Sequence, residues 1–147
     1  MSVPKFHSIM LHSTMVMVLL AAVGFGFEAA SQGTASPTFT EVVDSLDLTT
    51  KTPLYVKQYW LENKGREVAW SGVVKNVTGR RGKAEVQVAN ESRRTFKGFN
   101  LVLVTRDIET ASKLEIGQPI RFTGSLYKYK GRKGNPIILY LNEVEFR

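Results

Sequence analysis

The sequence contains no cysteine, and its only two histidines, His7 and His12, lie in an apolar N-terminal segment. The rest of the chain therefore has neither thiol nor imidazole groups. This excludes a disulfide framework and a thiolate zinc site. It also removes the side chains that most often act as nucleophile or general base in enzymes.

Catalysis without these groups would depend on carboxylates. The adjacent acids are Glu143 and Glu145 near the C-terminus, and Asp107 and Glu109 at the start of a short helical pattern. Acids on a strand are commonly a solvated edge, and an aspartate before a helix is commonly its cap. We therefore predict a protein that is not an enzyme and that needs no metal or cofactor.

Charge is scarce in the first part of the chain, where an apolar run at 15–27 follows Lys5 and precedes the small residues 29–31. This order is typical of a signal peptide. We predict that residues 1–31 form a signal peptide cleaved before Gln32, and the alternative is an N-terminal membrane anchor through residues 9–27. Either interpretation predicts an exported protein, periplasmic or anchored to the outer face of the inner membrane.

Residues 32–66 are predicted to form a linker followed by packed N-terminal helices. Thr38 and Glu41 fit a capping box, and the apolar residues after Thr38 have helical spacing. In a second helix Thr52 is the N-cap, Pro53 takes the first helical position and Gly65 marks the end. Its apolar residues predict that it packs on the following domain.

From residue 67 onward the hydrophobic period changes to two, which indicates strands. We predict five: 68–78, 84–88, 100–104, 120–126 with an extension toward Lys130, and 137–146. Asp107–Leu114 predicts a two-turn helix between strands three and four. Gly72 and Gly124 fall in strand interiors, where we expect a bulge or a sharp bend.

Five strands with a helix after the third is the order of the OB-fold, whereas a meander sheet or an SH3-like barrel predicts no helix there. The fold class predicted is therefore all-β: a five-stranded OB-like barrel at 67–147, preceded by one or two short helices. The segments 64–77 and 114–124 resemble bacterial OB-fold domains of the anticodon-binding-like type. That resemblance implies a binding module, in an exported form.

Basic residues concentrate in two blocks. Residues 75–97 hold seven basic and two acidic residues, and residues 121–133 hold five basic residues and no acid. In OB-folds the ligand face is flanked by the loops after strands one and four. These loops fall at 79–83 and 130–134, and we expect both to lie on the same rim, where their charges would act together on an anionic ligand.

The predicted function is binding of a linear polyanion, with single-stranded nucleic acid as the best-matched ligand. Arginine and lysine neutralise phosphates, and aromatic rings stack on bases. Tyr127 and Tyr129 are expected to face the same side of strand four. The predicted binding residues are Arg80, Arg81, Lys83, Arg93, Arg94, Lys97, Tyr127, Tyr129, Lys130, Arg132 and Lys133.

Alternative partners stay open at this point. The same loops fit anionic lipid head groups, anionic cell-wall polymers or an acidic protein surface. The competing functional hypothesis is an exported envelope adaptor that uses the barrel for protein–protein interaction.

Overall fold

The computed structural model describes residues 35–147, and the predicted leader at 1–31 lies outside this range. The first helix, α1, spans Phe39–Leu46 and begins with the predicted capping box. The Glu41 backbone N–H donates to Thr38 Oγ1 at 3.2 Å, while the Thr38 N–H donates to Glu41 Oε2 at 2.7 Å. The Phe39 ring meets the Trp70 ring edge-on, with 5.4 Å between centroids, so α1 packs on the barrel.

The second helix, α2, spans Pro53–Asn63 with Thr52 as its N-cap, as predicted. Val56 is buried, and the Trp60 ring contacts the Tyr129 ring at 4.8 Å between centroids. The helix therefore packs on the barrel through one face. Leu54 and Leu61 remain 76% and 63% exposed on another face.

Five strands close into a barrel in the order β1-β2-β3-β5-β4, with β4 returning to β1. This is the predicted OB-fold, with a short helix, α3, between β3 and β4. The elements are β1 (Glu67–Arg80), β2 (Lys83–Ala89), β3 (Leu101–Thr105), α3 (Ile108–Ser112), β4 (Pro119–Lys130) and β5 (Ile138–Phe146).

The barrel interior is filled by the apolar positions of the two-residue pattern. Ala84, Val86 and Val88 of β2 are all buried, as their alternation predicts. They share the core with fully buried residues of the other strands, among them Leu101, Leu103, Phe122, Leu126, Leu139 and Leu141. Burial of these side chains is the main favourable term for closing the barrel.

Gly72 and Gly124 lie where another strand passes close by. A Cβ on Gly72 would overlap Val88 Cγ1, and one on Gly124 would lie 2.9 Å from Val144 Cγ2. Opposite Gly124 the register shifts through an extra residue on β5, and in β1 the shift falls between Val74 and Asn76 rather than at Gly72. Gly72 is thus explained by close strand approach.

The helix after β3 is shorter than predicted. It covers five residues, with Asp107 as its N-cap. Ala111 is buried and Leu114 is partly buried, whereas Ile108 is 45% exposed.

The strand register defines two ends of the barrel. Ala84 pairs with Thr105 next to the β1–β2 turn, whereas Val88 pairs with Leu101 at the opposite end of β2. Leu101 also pairs with Leu139 at the start of β5, because β3 and β5 run parallel. We call these the β1–β2 end and the β4–β5 end.

Candidate polyanion-binding surface

A tight turn at the β1–β2 end presents the first predicted group of cations. Arg80 pairs with Lys83 across a two-residue turn in which Arg81 has φ 51° and Gly82 has φ 73°. Positive φ at both central residues is typical of a hairpin turn of type I′. We call Arg80, Arg81 and Lys83 the basic turn, and all three are exposed.

The second predicted group lies at the other end of the barrel. The loop after β4 begins beyond Lys130, whose partner Ile138 opens β5, and this start lies beside Leu101. The basic turn lies beyond the Ala84–Thr105 pair, so β3 separates the two. The expectation that loops 79–83 and 130–134 share one rim is therefore wrong.

The structure places a different basic segment beside the 130–134 loop. The chain between β2 and β3 contains a small hairpin, in which the Phe96 N–H donates to the Phe99 carbonyl at 2.8 Å. Lys97 and Gly98 form its turn, with φ 53° and 90°. This hairpin follows the end of β2, so it belongs to the β4–β5 end.

The two loops at this end line common depressions. Phe96, Lys130 and Arg132 line one of about 690 Å³, together with Tyr129, Gly131, Asn135, Pro136 and Ile138. Arg93 and Arg94 line a neighbouring one with Gly134 and Asn135, and the acids Asp44 and Asp47 of the N-terminal segment also line it. We call the exposed cations of this end the basic rim: Arg94, Lys97, Lys128, Lys130, Arg132 and Lys133.

Tyr140 is the aromatic centre of the basic rim. The ammonium of Lys128 lies 4.3 Å from its ring centroid, and that of Lys130 lies 5.5 Å from it. Lys128 is paired with Tyr140 across the β4–β5 ladder. Cation–π contact of this kind holds two positive charges over one half-buried ring.

The predicted tyrosine pair on β4 has a different arrangement. The register shifts between Leu126 and Lys128, which inserts Tyr127 as an extra residue and breaks the two-residue alternation. Tyr127 is 46% exposed, whereas Tyr129 is partly buried against Trp60. The pair therefore lies in two different environments and does not form a regular ladder.

Arg93 is held by an ion pair. Its Nε donates to Asp44 Oδ1 at 2.8 Å and its Nη2 donates to Asp44 Oδ2 at 2.6 Å. The Arg93 hydrogen bond holds the pKa of Asp44 below its usual value, and the same bond raises the pKa of Arg93. Arg93 thus ties the loop to α1, and Arg94 beside it is exposed.

Carboxylates accompany the basic turn. Lys83 lines a depression of about 470 Å³ with Arg106 and with the acids Asp107, Glu143 and Glu145. The pKa of Asp107 is lowered by hydrogen bonds from Thr110, as expected of a helix cap. The β1–β2 end therefore has mixed charge, and so does the depression lined by Arg93 and Arg94. The lining of the 690 Å³ depression contains no acid.

Neither Lys128 nor Tyr140 is among the binding residues predicted from the sequence. The spacing of Lys128 and Lys130, two residues apart on one strand, indicates that they share a face. The β4–β5 register, which places the Tyr140 ring under both ammonium groups, cannot be predicted from this spacing.

Within residues 35–147, no group of three or more His, Cys, Asp and Glu side chains is arranged to hold a metal ion. No helix in this part of the chain is long and apolar enough to span a bilayer.

No family model matches the chain, and no curated protein matches it. Among solved structures, the chain is similar to OBody NL8 bound to hen egg-white lysozyme, with a TM-score of 0.39 and 16% identity over 56% of this chain and 93% of that one. The chain is also similar to OBody AM2EP06 bound to hen egg-white lysozyme, with a TM-score of 0.41 and 15% identity over 58% of this chain and 82% of that one. The fold assignment rests on the strand order and closure, since likeness at this level adds no argument.

Proposed function

We propose that this chain is a non-catalytic OB-fold module that binds a linear polyanion, with single-stranded nucleic acid as the best-matched ligand. The observation that carries the proposal is the basic rim, where cations from two loops and one strand gather around aromatic rings. Lys130 joins the two parts, because it lines the depression beside Phe96 and also lies over Tyr140.

The chemistry of the rim fits a ligand with repeated phosphates and flat rings. Exposed arginine and lysine side chains neutralise phosphates and release counterions. Phe96 is 41% exposed in the same depression, so a base can reach its ring. Base stacking on such a ring contributes about 1 to 3 kcal/mol.

The basic turn has a secondary place in this proposal. β3 has five residues, and at about 3.3 Å per residue it spans roughly 15 Å. A single phosphate cannot contact both ends of the barrel, but a strand of about five stacked nucleotides, at about 3.4 Å each, covers that distance. The rim is therefore proposed as the primary anchor, and export to the periplasm or the outer face of the inner membrane is part of the same proposal.

Two matched triple variants of the full-length chain test where binding occurs. Lys130→Gln/Arg132→Gln/Lys133→Gln removes three cations from the rim, and Arg80→Gln/Arg81→Gln/Lys83→Gln removes three from the basic turn. Both change the net charge equally. Affinity for a four-nucleotide single strand is measured by fluorescence anisotropy at several salt concentrations.

We expect the rim variant to reduce the salt slope by about 2, since each single-strand phosphate contact contributes about 0.7. The turn variant should leave the slope for this short ligand within experimental error. Equal losses in both variants would mean that only net charge matters, and unchanged binding in the rim variant would overturn the proposal. Dextran sulfate and anionic vesicles, used as competitors, distinguish nucleic acid from other polyanions.

A further inference from the structure

The second half of β1 has a free backbone edge. β1 pairs with β4 only as far as Val73, which lies opposite Pro119. Val74 then exchanges hydrogen bonds with the loop before β4, at 2.9 Å to the Gln118 carbonyl and 2.7 Å from the Gly117 N–H. Beyond this point, among the residues that the structure describes, Asn76–Arg80 pairs with β2 alone.

The alternation of an antiparallel ladder shows which backbone groups face outward. Arg80 and Lys83 flank the two-residue turn as a hydrogen-bonded pair, so Val77 and Gly79 direct their N–H and C=O groups away from β2. The Val77 N–H agrees with this, because it donates to the Asn76 side-chain oxygen at 3.0 Å. The outward groups are those that a further strand would use.

An apolar groove runs beside this edge. It has a volume of about 410 Å³ and is bounded by the β1 edge on one side and by α3 and the following loop on the other. Ile116 and Ile108 line it and are 76% and 45% exposed. The remaining lining residues are Asn76, Val77, Thr78, Gly79, Ala84, Ser112 and Leu114.

We propose that this edge and groove together bind an extended peptide of a partner protein, which adds to β1 as a strand. The Val77 N–H is already bonded to Asn76, so main-chain bonds to the Val77 carbonyl and to the N–H and carbonyl of Gly79 supply affinity. An apolar side chain seated between Ile108 and Ile116 supplies specificity. The exposed Lys75 and Arg80 stand at the two ends of the edge, so the peptide carries acidic residues flanking its apolar ones. This site is independent of the basic rim and does not depend on the polyanion proposal.

The test uses the full-length chain and a displayed library of random twelve-residue peptides. We expect selected peptides to alternate apolar and polar residues, to contain Asp or Glu, and to shift the NMR amide signals of residues 76–80. Ile108→Ser/Ile116→Ser should reduce the affinity for a synthetic copy of the selected peptide at least tenfold. Gly79→Pro removes one outward N–H at an edge position that tolerates proline, and it should also weaken binding at least tenfold.

The matched control is Leu54→Ser/Leu61→Ser, which replaces two similarly exposed apolar residues on α2 and should change the affinity less than twofold. A thermal unfolding curve for each variant confirms that it folds. Selection of no peptide, or of peptides that bind Ile108→Ser/Ile116→Ser as well as the original chain, would overturn the proposal. So would sedimentation showing a dimer of the original chain that Ile108→Ser/Ile116→Ser converts to a monomer.

Discussion

At the scale of single residues, Asn100 organises the loop that carries Arg94, Phe96 and Lys97. It is fully buried immediately before β3. Its Oδ1 accepts a hydrogen bond from the Asn90 N–H at 2.8 Å, and its Nδ2 donates to the carbonyls of Asn90 at 2.8 Å and Arg93 at 3.2 Å. One side chain thus satisfies three backbone groups of a loop that has little regular structure.

Replacing Asn100 with Leu should destabilise the protein by about 2 to 3 kcal/mol, because a buried unpaired polar group costs about 1 to 3 kcal/mol. Urea denaturation measures this change. Asn135→Leu is the control, since Asn135 is exposed, and it should change stability by less than about 0.5 kcal/mol. Equal stability of the two variants would show that Asn100 does not anchor the loop.

The sequence predicts Asn100 only as the first residue of a strand. Its hydrogen bonds reach seven to ten residues back to a loop without periodicity, so no local pattern reveals them. The same limit applies to Tyr140, whose partners Lys128 and Lys130 lie on another strand.

At the scale of elements, local signals predict helices and strands well because each depends on neighbouring residues. Thr38 and Glu41 form the capping box that begins α1, and Thr52 with Pro53 begins α2. The strand cores follow the two-residue alternation. Bulges are the exception, as the extra residue at Tyr127 depends on the pairing between β4 and β5.

The Glu41 carboxylate at the start of α1 and the Asp44 carboxylate paired with Arg93 make the stability of the fold depend on pH. The pKa values of Glu41 and Asp44 are lowered from 4.5 and 3.8, by hydrogen bonds from Thr38 and Arg93 respectively. A lowered folded-state pKa contributes stability above the unfolded-state value and loses it as pH falls through the folded-state value. We therefore expect stability to fall below about pH 4.5, measured by thermal unfolding between pH 2.5 and 7.

The Asp44–Arg93 pair gives this expectation a specific check. Asp44→Asn and Arg93→Gln should each flatten the acid part of the curve, and the double variant should resemble either single variant, since both remove the same interaction. An acid profile that is identical in all four proteins would mean that the pair makes no measurable contribution. Both side chains are partly exposed, so added salt should reduce the effect.

At the scale of the whole molecule, the error in the sequence interpretation is one of topology. The sequence predicts that the two basic loops flanking one ligand face share a rim, but β5 starts beside the start of β3. The parallel pairing of these strands sends the loop after β4 to one end of the barrel, while the β1–β2 turn lies at the other. Hydrophobic periodicity identifies the strands, but it does not predict which strands begin at the same end of the barrel.

The separation of the two basic groups predicts a dependence on ligand length. Arg80→Gln/Arg81→Gln/Lys83→Gln should leave binding of a four-nucleotide strand unchanged but should reduce the salt slope for a fifteen-nucleotide strand by up to about 2, at about 0.7 per lost contact. Lys130→Gln/Arg132→Gln/Lys133→Gln should weaken the binding of both strands, because both need the basic rim as their primary anchor. Anisotropy titrations with the two strand lengths at matched salt concentrations measure the four slopes.

If the turn variant reduces binding of the short strand as much as binding of the long one, both ends of the barrel act together on one short ligand, and the assignment of the rim as primary anchor is wrong. If it affects neither, the basic turn takes no part in binding and the ligand remains at the β4–β5 end.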